Sequence, residues 1–307
     1  MLRRTLLASA GAMALTGAAL AADLPSRAPP PVFLPPPPVF TWTGLYVGVN
    51  AGYEWSASNS VDVDTATVFN NTAALSAVGL TYGPAAAAGA TGNFPVQTNG
   101  FIGGGQIGYN LQFANNFVAG IEADIQGIAG SNGSASAFTV TPRTPFFPPD
   151  AVDTSLSVSK RIDYLGTVRG RLGFLLTPTL LIFGDGGLAY GGVQSATSIA
   201  GGEVPNTGST NFSGVGTIST SRVGWTAGGG LEWLFAPNWS VKAEYLYYDL
   251  GTVTYGTGPM TTFLTGTPTV TFVNQSRTTT RFNGNIVRAG LNYHFNLWGP
   301  APVVAKY

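Results

Sequence analysis

The sequence contains no cysteine, a single histidine and few charged side chains, and each scarcity narrows what the protein can be. The lack of cysteine excludes disulfides, thiolate metal sites and cysteine nucleophiles. Charged residues make up 9% of the 307 positions, whereas about a quarter is usual in soluble domains. The 14 basic residues balance the 14 acidic ones, so no net positive charge favours a nucleic-acid partner.

A long apolar run occurs only at the beginning of the chain. Arg3 and Arg4 precede the apolar stretch from Leu6 to Leu20, and Ala19-Leu20-Ala21 has the small-x-small pattern of a cleavage site. Together these features predict a secretory signal peptide over residues 1–21. An uncleaved membrane anchor is the alternative, and the shortness of the stretch disfavours it.

Residues 22–40 differ in character because they are rich in proline, with runs at Pro29 to Pro31 and Pro35 to Pro38. Proline runs adopt an extended polyproline conformation without burying a core. The composition predicts a periplasmic linker, and binding to a proline-recognising partner or to the cell wall is the alternative.

From Thr41 onward, hydrophobicity alternates at every second residue, which is typical of strands with one apolar face. Each such segment has at least the roughly 9 to 11 residues that a tilted strand needs to cross a bilayer. The eight segments are Thr41 to Ser56, Gly100 to Ala114, Asn116 to Gly130, Val158 to Leu176, Thr179 to Gln194, Ser221 to Phe235, Asn238 to Tyr255 and Arg277 to Asn296.

The connections between these segments alternate between very short and long. Three are tight turns, at Ala114-Asn115-Asn116, Thr177-Pro178-Thr179 and Ala236-Pro237-Asn238. The other four cover residues 57–99, 131–157, 195–220 and 256–276. Short turns on one side and long loops on the other are typical of outer-membrane barrels. We therefore predict an all-β fold over residues 41–296, an eight-stranded antiparallel transmembrane β-barrel with short periplasmic turns and long extracellular loops.

The polar parity of the strands identifies the residues that face the lumen, because a charge facing lipid costs several kcal/mol near the midplane. A small barrel has an interior that side chains fill, so these charges are expected to pair with one another. A narrow, cation-preferring water path is the alternative. The predicted lumen network contains Glu54, Glu122, Asp124, Asp163, Arg169, Arg171, Asp185, Glu232, Lys242, Glu244 and Arg288.

Three motifs resemble a known family, the small outer-membrane β-barrel proteins of alphaproteobacteria described as outer-membrane immunogenic or porin-family proteins. The resemblance covers nearly all of the chain after the proline-rich segment. It is carried by Trp42-Thr43-Gly44-Leu45-Tyr46-Val47-Gly48 with Ala51-Gly52-Tyr53, by Leu165-Gly166-Thr167-Val168-Arg169-Gly170-Arg171-Leu172-Gly173, and by Val287-Arg288-Ala289-Gly290-Leu291-Asn292-Tyr293-His294-Phe295. It implies an outer-membrane location after export, with roles in envelope integrity and surface recognition.

The last motif also resembles the signal by which the barrel assembly machinery recognises a final strand, with Arg288, Gly290, Tyr293 and Phe295 in the matching positions. Residues 297–307 follow it and are predicted to form a C-terminal periplasmic tail. The resemblance therefore implies two partners, the assembly machinery and outer-membrane lipid.

Nothing in the sequence predicts catalysis, a cofactor or a metal site. The single histidine, His294, lies at the short-turn end of the last strand, away from the long loops where a substrate would arrive. Asp62 and Asp64 lack the further acidic ligands of a calcium site. The expected function is structural and surface-exposed. A narrow porin for small solutes, a loop-mediated receptor for a host surface ligand, and a soluble secreted β-sandwich are the alternatives.

Overall fold

The structure, a computed structural model, describes residues 41–71, 79–130, 132–143, 150–204, 211–263 and 270–295. The predicted signal peptide (1–21), proline-rich linker (22–40) and C-terminal tail (297–307) lie outside these ranges. In chain order the elements are β1 (Gly44–Ser56), β2 (Ser60–Asn70), α1 (Gly79–Gly89), β3 (Gly92–Pro95), β4 (Asn99–Phe113), β5 (Phe117–Ala129), β6 (Asn132–Pro142), β7 (Ala151–Thr177), β8 (Leu180–Val204), β9 (Phe212–Ala236), β10 (Trp239–Gly256), β11 (Met260–Phe263) and β12 (Val270–Phe295). No helix within the described ranges is long and apolar enough to cross a bilayer.

Eight of these strands form a closed ring in the order β1, β4, β5, β7, β8, β9, β10 and β12, and all neighbours are antiparallel. The ring closes where β12 pairs with β1 in continuous register, from Leu45 opposite Phe295 to Ser56 opposite Gly284. Each of the eight predicted segments corresponds to one strand of the ring. The predicted eight-stranded barrel is therefore confirmed.

The three short connections at one end of the barrel are the tight turns that the sequence predicts. In the turn between β4 and β5, Ala114 and Asn115 have positive φ values of 46° and 64°. Asn238, in the turn between β9 and β10, has a φ of 66°. Asparagine tolerates this left-handed conformation better than most residues, which explains its presence at two of the three turns.

Side chains alternate across the barrel wall. Inward-facing Tyr46 and Glu54 are fully buried, whereas outward-facing Val49 and Ile121 are 62% and 67% exposed. Aromatic rings border this apolar outer belt at both of its edges. At the short-turn edge the ring pairs are Phe113 with Phe117, Phe117 with Phe174, Trp239 with Tyr293, and Tyr293 with Phe295, and at the opposite edge they are Tyr53 with Phe101 and Trp225 with Tyr247.

At the end opposite the short turns, β7, β8, β9 and β12 continue past the belt and form a second tier, which we call the extension. There β6 takes the place of β5 beside β7, and β2 takes the place of β1 beside β12. The shorter strands β3 and β11 pair with β2 and β12. Much of the four long connections is thus ordered strand, a feature that their small, polar composition does not predict.

Helix α1 lies within the extension and packs against β2, β6, β7 and β12. Close packing is possible because the helix presents small residues. A Cβ added to Gly83 would lie 3.1 Å from Phe272, and one added to Gly89 would lie 2.7 Å from the Thr154 hydroxyl. The buried cluster around the helix includes Val61, Tyr82, Ala86, Val152, Leu156, Ile199, Phe212, Met260 and Phe272. An apolar core therefore fills the end of the molecule farthest from the short turns.

Candidate functional site in the barrel lumen

A compact network of charged side chains fills the lumen inside the belt, and Arg169 lies at its centre. The Arg169 guanidinium contacts four carboxylates, those of Glu122, Asp124, Asp185 and Glu244. Its Nη2 lies 2.9 Å from Asp124 Oδ2, and its Nη1 lies 2.8 Å from Glu244 Oε1. These five residues lie on four strands, β5, β7, β8 and β10, at positions where the inward parity of each strand places a charge.

Three further cations complete the network. Arg288 binds Glu244 through Nε at 2.6 Å and Asp124 through Nη2 at 2.8 Å. Lys242 Nζ lies 2.7 Å from Glu122 Oε1. Arg171 pairs with Glu232 at 2.9 Å, and both are almost fully buried.

Four cations, Arg169, Arg171, Lys242 and Arg288, thus meet five carboxylates, Glu122, Asp124, Asp185, Glu232 and Glu244. Groups buried in this way are costly to separate, because each charge has lost its hydration and depends on its partners. The network therefore acts as a polar core that joins six of the eight barrel strands.

Apolar layers close the lumen on both sides of the network. Toward the short turns, a floor is formed by Trp42, Val118, Leu175, Leu181, Phe183 and Leu234. Trp42 is 1% exposed, and its indole nitrogen donates to the Pro178 carbonyl at 3.1 Å. Toward the extension, a second layer contains Ile102, Ile162, Leu165, Val193, Leu246, Tyr248, Leu250, Phe282 and Ile286.

Two residues that the sequence places in the network lie elsewhere. Glu54 is buried in the lumen apart from the network and accepts a hydrogen bond from the Tyr248 hydroxyl. The prediction that Asp163 faces the lumen is wrong. Its side chain is 35% exposed, and its Oδ1 lies 2.8 Å from Arg161 Nε. The cause is a register shift between Ile162 and Tyr164, because one extra residue turns the following side chains to the opposite face.

Several residues that face the interior were not predicted, because the prediction of lumen residues considered only charged side chains. Leu181, Phe183 and Leu246 share the inward parity of the acidic residues on their strands, and all three are buried inside the barrel. Lys160, in the extension, is also buried and donates to the Ser58 carbonyl at 3.0 Å. The alternation of each strand does predict that these two leucines and the phenylalanine face inward, provided that apolar side chains are accepted as lumen residues.

His294 lies beside a serine and a carboxylate, yet the arrangement differs from a catalytic triad. Its Nε2 is 2.8 Å from Ser240 Oγ, and that same hydroxyl donates to Glu232 Oε1 at 2.6 Å. In a triad the acid binds the opposite ring nitrogen and the serine faces the substrate. Here Ser240 is fully buried, so a substrate has no route to the hydroxyl.

The structure brings together no metal-binding constellation within the ranges that it describes, since no three His, Asp or Glu side chains there are grouped to hold an ion. Asp62 faces outward on β2 and accepts hydrogen bonds from Ser60 and Asn93. Asp64 lies on the same outward face of β2.

The residues of the predicted assembly signal lie on β12, the strand that closes the barrel. Tyr293 and Phe295 face outward with their ring centroids 5.0 Å apart. Arg288 and Gly290 face the lumen, where Arg288 joins the charge network. Recognition by the assembly machinery stays a prediction.

Comparison with known proteins decides the family. The profile of the outer membrane protein beta-barrel domain matches residues 7–295. The 31 kDa outer-membrane immunogenic protein of Brucella melitensis is 32% identical over 302 residues, which cover 96% of this chain and 100% of that protein. The chain belongs to the outer membrane β-barrel family.

Two further similarities are weaker. The 22 kDa outer membrane protein of Rhizobium leguminosarum is 30% identical over 154 residues, which cover 50% of this chain and 54% of that protein. Among solved structures, the outer membrane protein OprG from Pseudomonas aeruginosa aligns over 82% of this chain and 97% of its own, with 9% identity and a TM-score of 0.39.

Membership of the family places this protein in the outer membrane and defines which end of the barrel faces the periplasm. The apolar belt faces lipid, and the aromatic rings at its two edges lie at the level of the headgroups. The short turns face the periplasm, and the extension with helix α1 faces the outside of the cell. The buried charge network then lies at the depth of the bilayer.

Proposed function

We propose that this outer membrane barrel is a structural and surface protein with a closed lumen, which contributes to envelope integrity and to recognition at the cell surface. The observation that carries the proposal is the filling of the lumen by the floor, the charge network and the upper apolar layer. Arg169 and Arg288, at the centre, are 1% and 2% exposed. An aqueous path would have to break several ion pairs in a medium that solvates charge poorly.

Conductance is the measurement that separates this proposal from a porin. The refolded protein in a planar bilayer is expected to produce no steady current, because neither water nor ions can pass three packed layers. A diffusion porin refolded in the same way serves as the positive control for insertion, and the heat-dependent gel shift of the sample confirms that barrels formed. A large, steady conductance in those samples would show that the lumen is open.

The surface role is supported by the ordered extension and by the word immunogenic in the names of the Brucella relatives. Because the chain has no cysteine, one introduced thiol gives an unambiguous label. Phe138→Cys, on the outward face of β6 in the extension, is expected to react with a membrane-impermeant maleimide on intact cells. Thr177→Cys, in a short turn, should react only after the outer membrane is opened. Equal labelling of both in intact cells contradicts surface display of the extension.

A further inference from the structure

A shallow concave surface on the outside of the barrel lies just beyond the extracellular edge of the belt, where β6, β7, β8 and β9 run side by side. Its volume is about 520 Å³. We call it the hydroxyl face and define it by six outward residues in two cross-strand rows: Arg161, Gln194 and Ser219 in the row nearer the belt, and Ser134, Ser159 and Thr217 in the row above.

The six side chains of the hydroxyl face are short alcohols with one amide and one guanidinium, and the two rows are completed by a second amide, Asn132, and by the small Ala196. Such polar groups donate and accept hydrogen bonds in many directions, and they offer no apolar pocket that could anchor a protein side chain. Arg161 keeps 45% of its side chain exposed even though its Nε pairs with Asp163. The chemistry of the face thus matches a ligand that is rich in hydroxyl groups and carries an acidic group.

Asp163, the residue that the bulge in β7 turns outward, holds two side chains of the hydroxyl face in position. One carboxylate oxygen of Asp163 binds Arg161 Nε at 2.8 Å, and the other accepts from Gln194 Nε2 at 2.7 Å. A bulge breaks the ladder locally and commonly serves to re-aim a side chain beside a binding site. Here its effect is to fix the two largest polar side chains of the face in one geometry.

The height of the hydroxyl face indicates the source of the ligand. Tyr164 and Tyr190 face outward near this edge of the belt. Arg161 lies two rungs of the sheet beyond Tyr164, because the bulge takes up one residue of β7, and Gln194 lies four residues beyond Tyr190. Along strands tilted by about 40°, these separations place the first row roughly 5 Å above Tyr164 and roughly 10 Å above Tyr190, and the second row about 5 Å higher still. The headgroup layer of a phospholipid bilayer is only about 5 to 8 Å thick. A ligand that reaches both rows from the membrane therefore needs a larger head.

We propose that the hydroxyl face binds the phosphorylated oligosaccharide head of a glycolipid in the outer leaflet, whose acyl chains lie on the belt below. Sugar hydroxyls bond to the serines, the threonine and Gln194, and an acidic group of the head pairs with Arg161, since guanidinium binds such groups through paired donors. The inference rests on the proposed function, because it requires a barrel that displays its extension in the outer leaflet.

The test compares glycolipid binding by the refolded full chain and its variants in mixed micelles, read by native mass spectrometry with purified rough-type lipopolysaccharide as the probe. The double variant Arg161→Gln, Gln194→Ala is expected to bind about tenfold more weakly, because it loses one charge-assisted and one neutral hydrogen-bonding partner. Arg277→Gln, an exposed arginine on β12 outside the face, is the matched control and is expected to bind as the parent does.

Two further arms make the result decisive. Phosphatidylglycerol should bind the parent much more weakly than the glycolipid does, because its small head does not reach the second row. The oligosaccharide cleaved from its lipid should bind far more weakly than the intact glycolipid. Equal glycolipid binding by the double variant and the control overturns the proposal, and so does tight binding of the cleaved sugar, which would indicate a soluble glycan as ligand.

If the double variant gives no heat-dependent gel shift, Ser219→Leu replaces it, since this change fills the exposed concavity without removing a bracing contact. It is expected to lower glycolipid binding by a similar factor, and unchanged binding overturns the proposal. Conductance of the same preparations reports separately on the closed lumen, so failure of the two proposals can be told apart.

Discussion

Arg169→Met is expected to lower the free energy of unfolding of the refolded barrel by about 3 to 5 kcal/mol, the cost typical of removing one partner from a buried ion pair. Methionine retains much of the volume of the side chain but none of its charge. The four carboxylates that meet Arg169, from Glu122, Asp124, Asp185 and Glu244, then lose their shared cation. Urea unfolding in lipid vesicles, followed by tryptophan fluorescence, measures the loss.

Two comparisons show whether burial of the network causes that loss. Arg277→Met removes an exposed arginine and should change stability by less than about 0.5 kcal/mol. Adding Glu244→Gln to Arg169→Met should recover part of the loss, because one uncompensated carboxylate is gone, and residues that share a network couple by roughly 0.5 to 3 kcal/mol. A loss in Arg169→Met no larger than in Arg277→Met would mean that water enters the lumen and screens the charges.

Much of the barrel could be predicted because lipid imposes a simple rule on each strand. An outward charge at the depth of the bilayer is costly, so the strands keep strict alternation there, as in β1 and β5. The tight turns could also be predicted, since proline fixes φ and asparagine tolerates the left-handed conformation that turns require. The ring of eight strands follows from these two signals together.

The cost of an outward charge applies only where the strands contact lipid. Beyond the belt, the sequence therefore predicts the strands less clearly. In the extension the outer surface meets water, so outward positions can be serine or phenylalanine, as Ser157 and Phe138 show. Helix α1 has a run of four alanines from Ala85 to Ala88 and Pro84 within it, a composition that also suits a loop. Tertiary packing against the surrounding strands, rather than local propensity, holds the helix in place.

The error at Asp163 has a different origin, because it lies in a strand whose parity is otherwise clear. From Thr167 to Arg171 the polar residues of β7 face the lumen, and the alternation extrapolates to Asp163. A single bulge between Ile162 and Tyr164 reverses the face of every residue beyond it. Lys160 is then buried and Arg161 exposed. A bulge leaves no composition signal here, so only the pairing of the strands reveals it.

Ile121→Arg and Phe138→Arg are expected to differ sharply in their effect, although both wild-type side chains are 67% exposed. Ile121 lies within the belt on β5, so an arginine there must displace lipid contacts and should destabilise the barrel by about 2 to 4 kcal/mol. Phe138 lies on β6 in the extension, where water hydrates the new charge, and the change should stay within about 0.5 kcal/mol.

Because the two residues have equal exposure, the comparison isolates the medium that surrounds each face. Folding into vesicles, scored by the heat-dependent gel shift, and urea unfolding of the folded fraction together measure the difference. Refolding into bilayers with longer acyl chains should leave the order of the two variants unchanged, since Phe138 stays above the belt. Equal destabilisation by both substitutions would place the membrane elsewhere on the barrel, and the depths inferred for the charge network and the hydroxyl face would both be wrong.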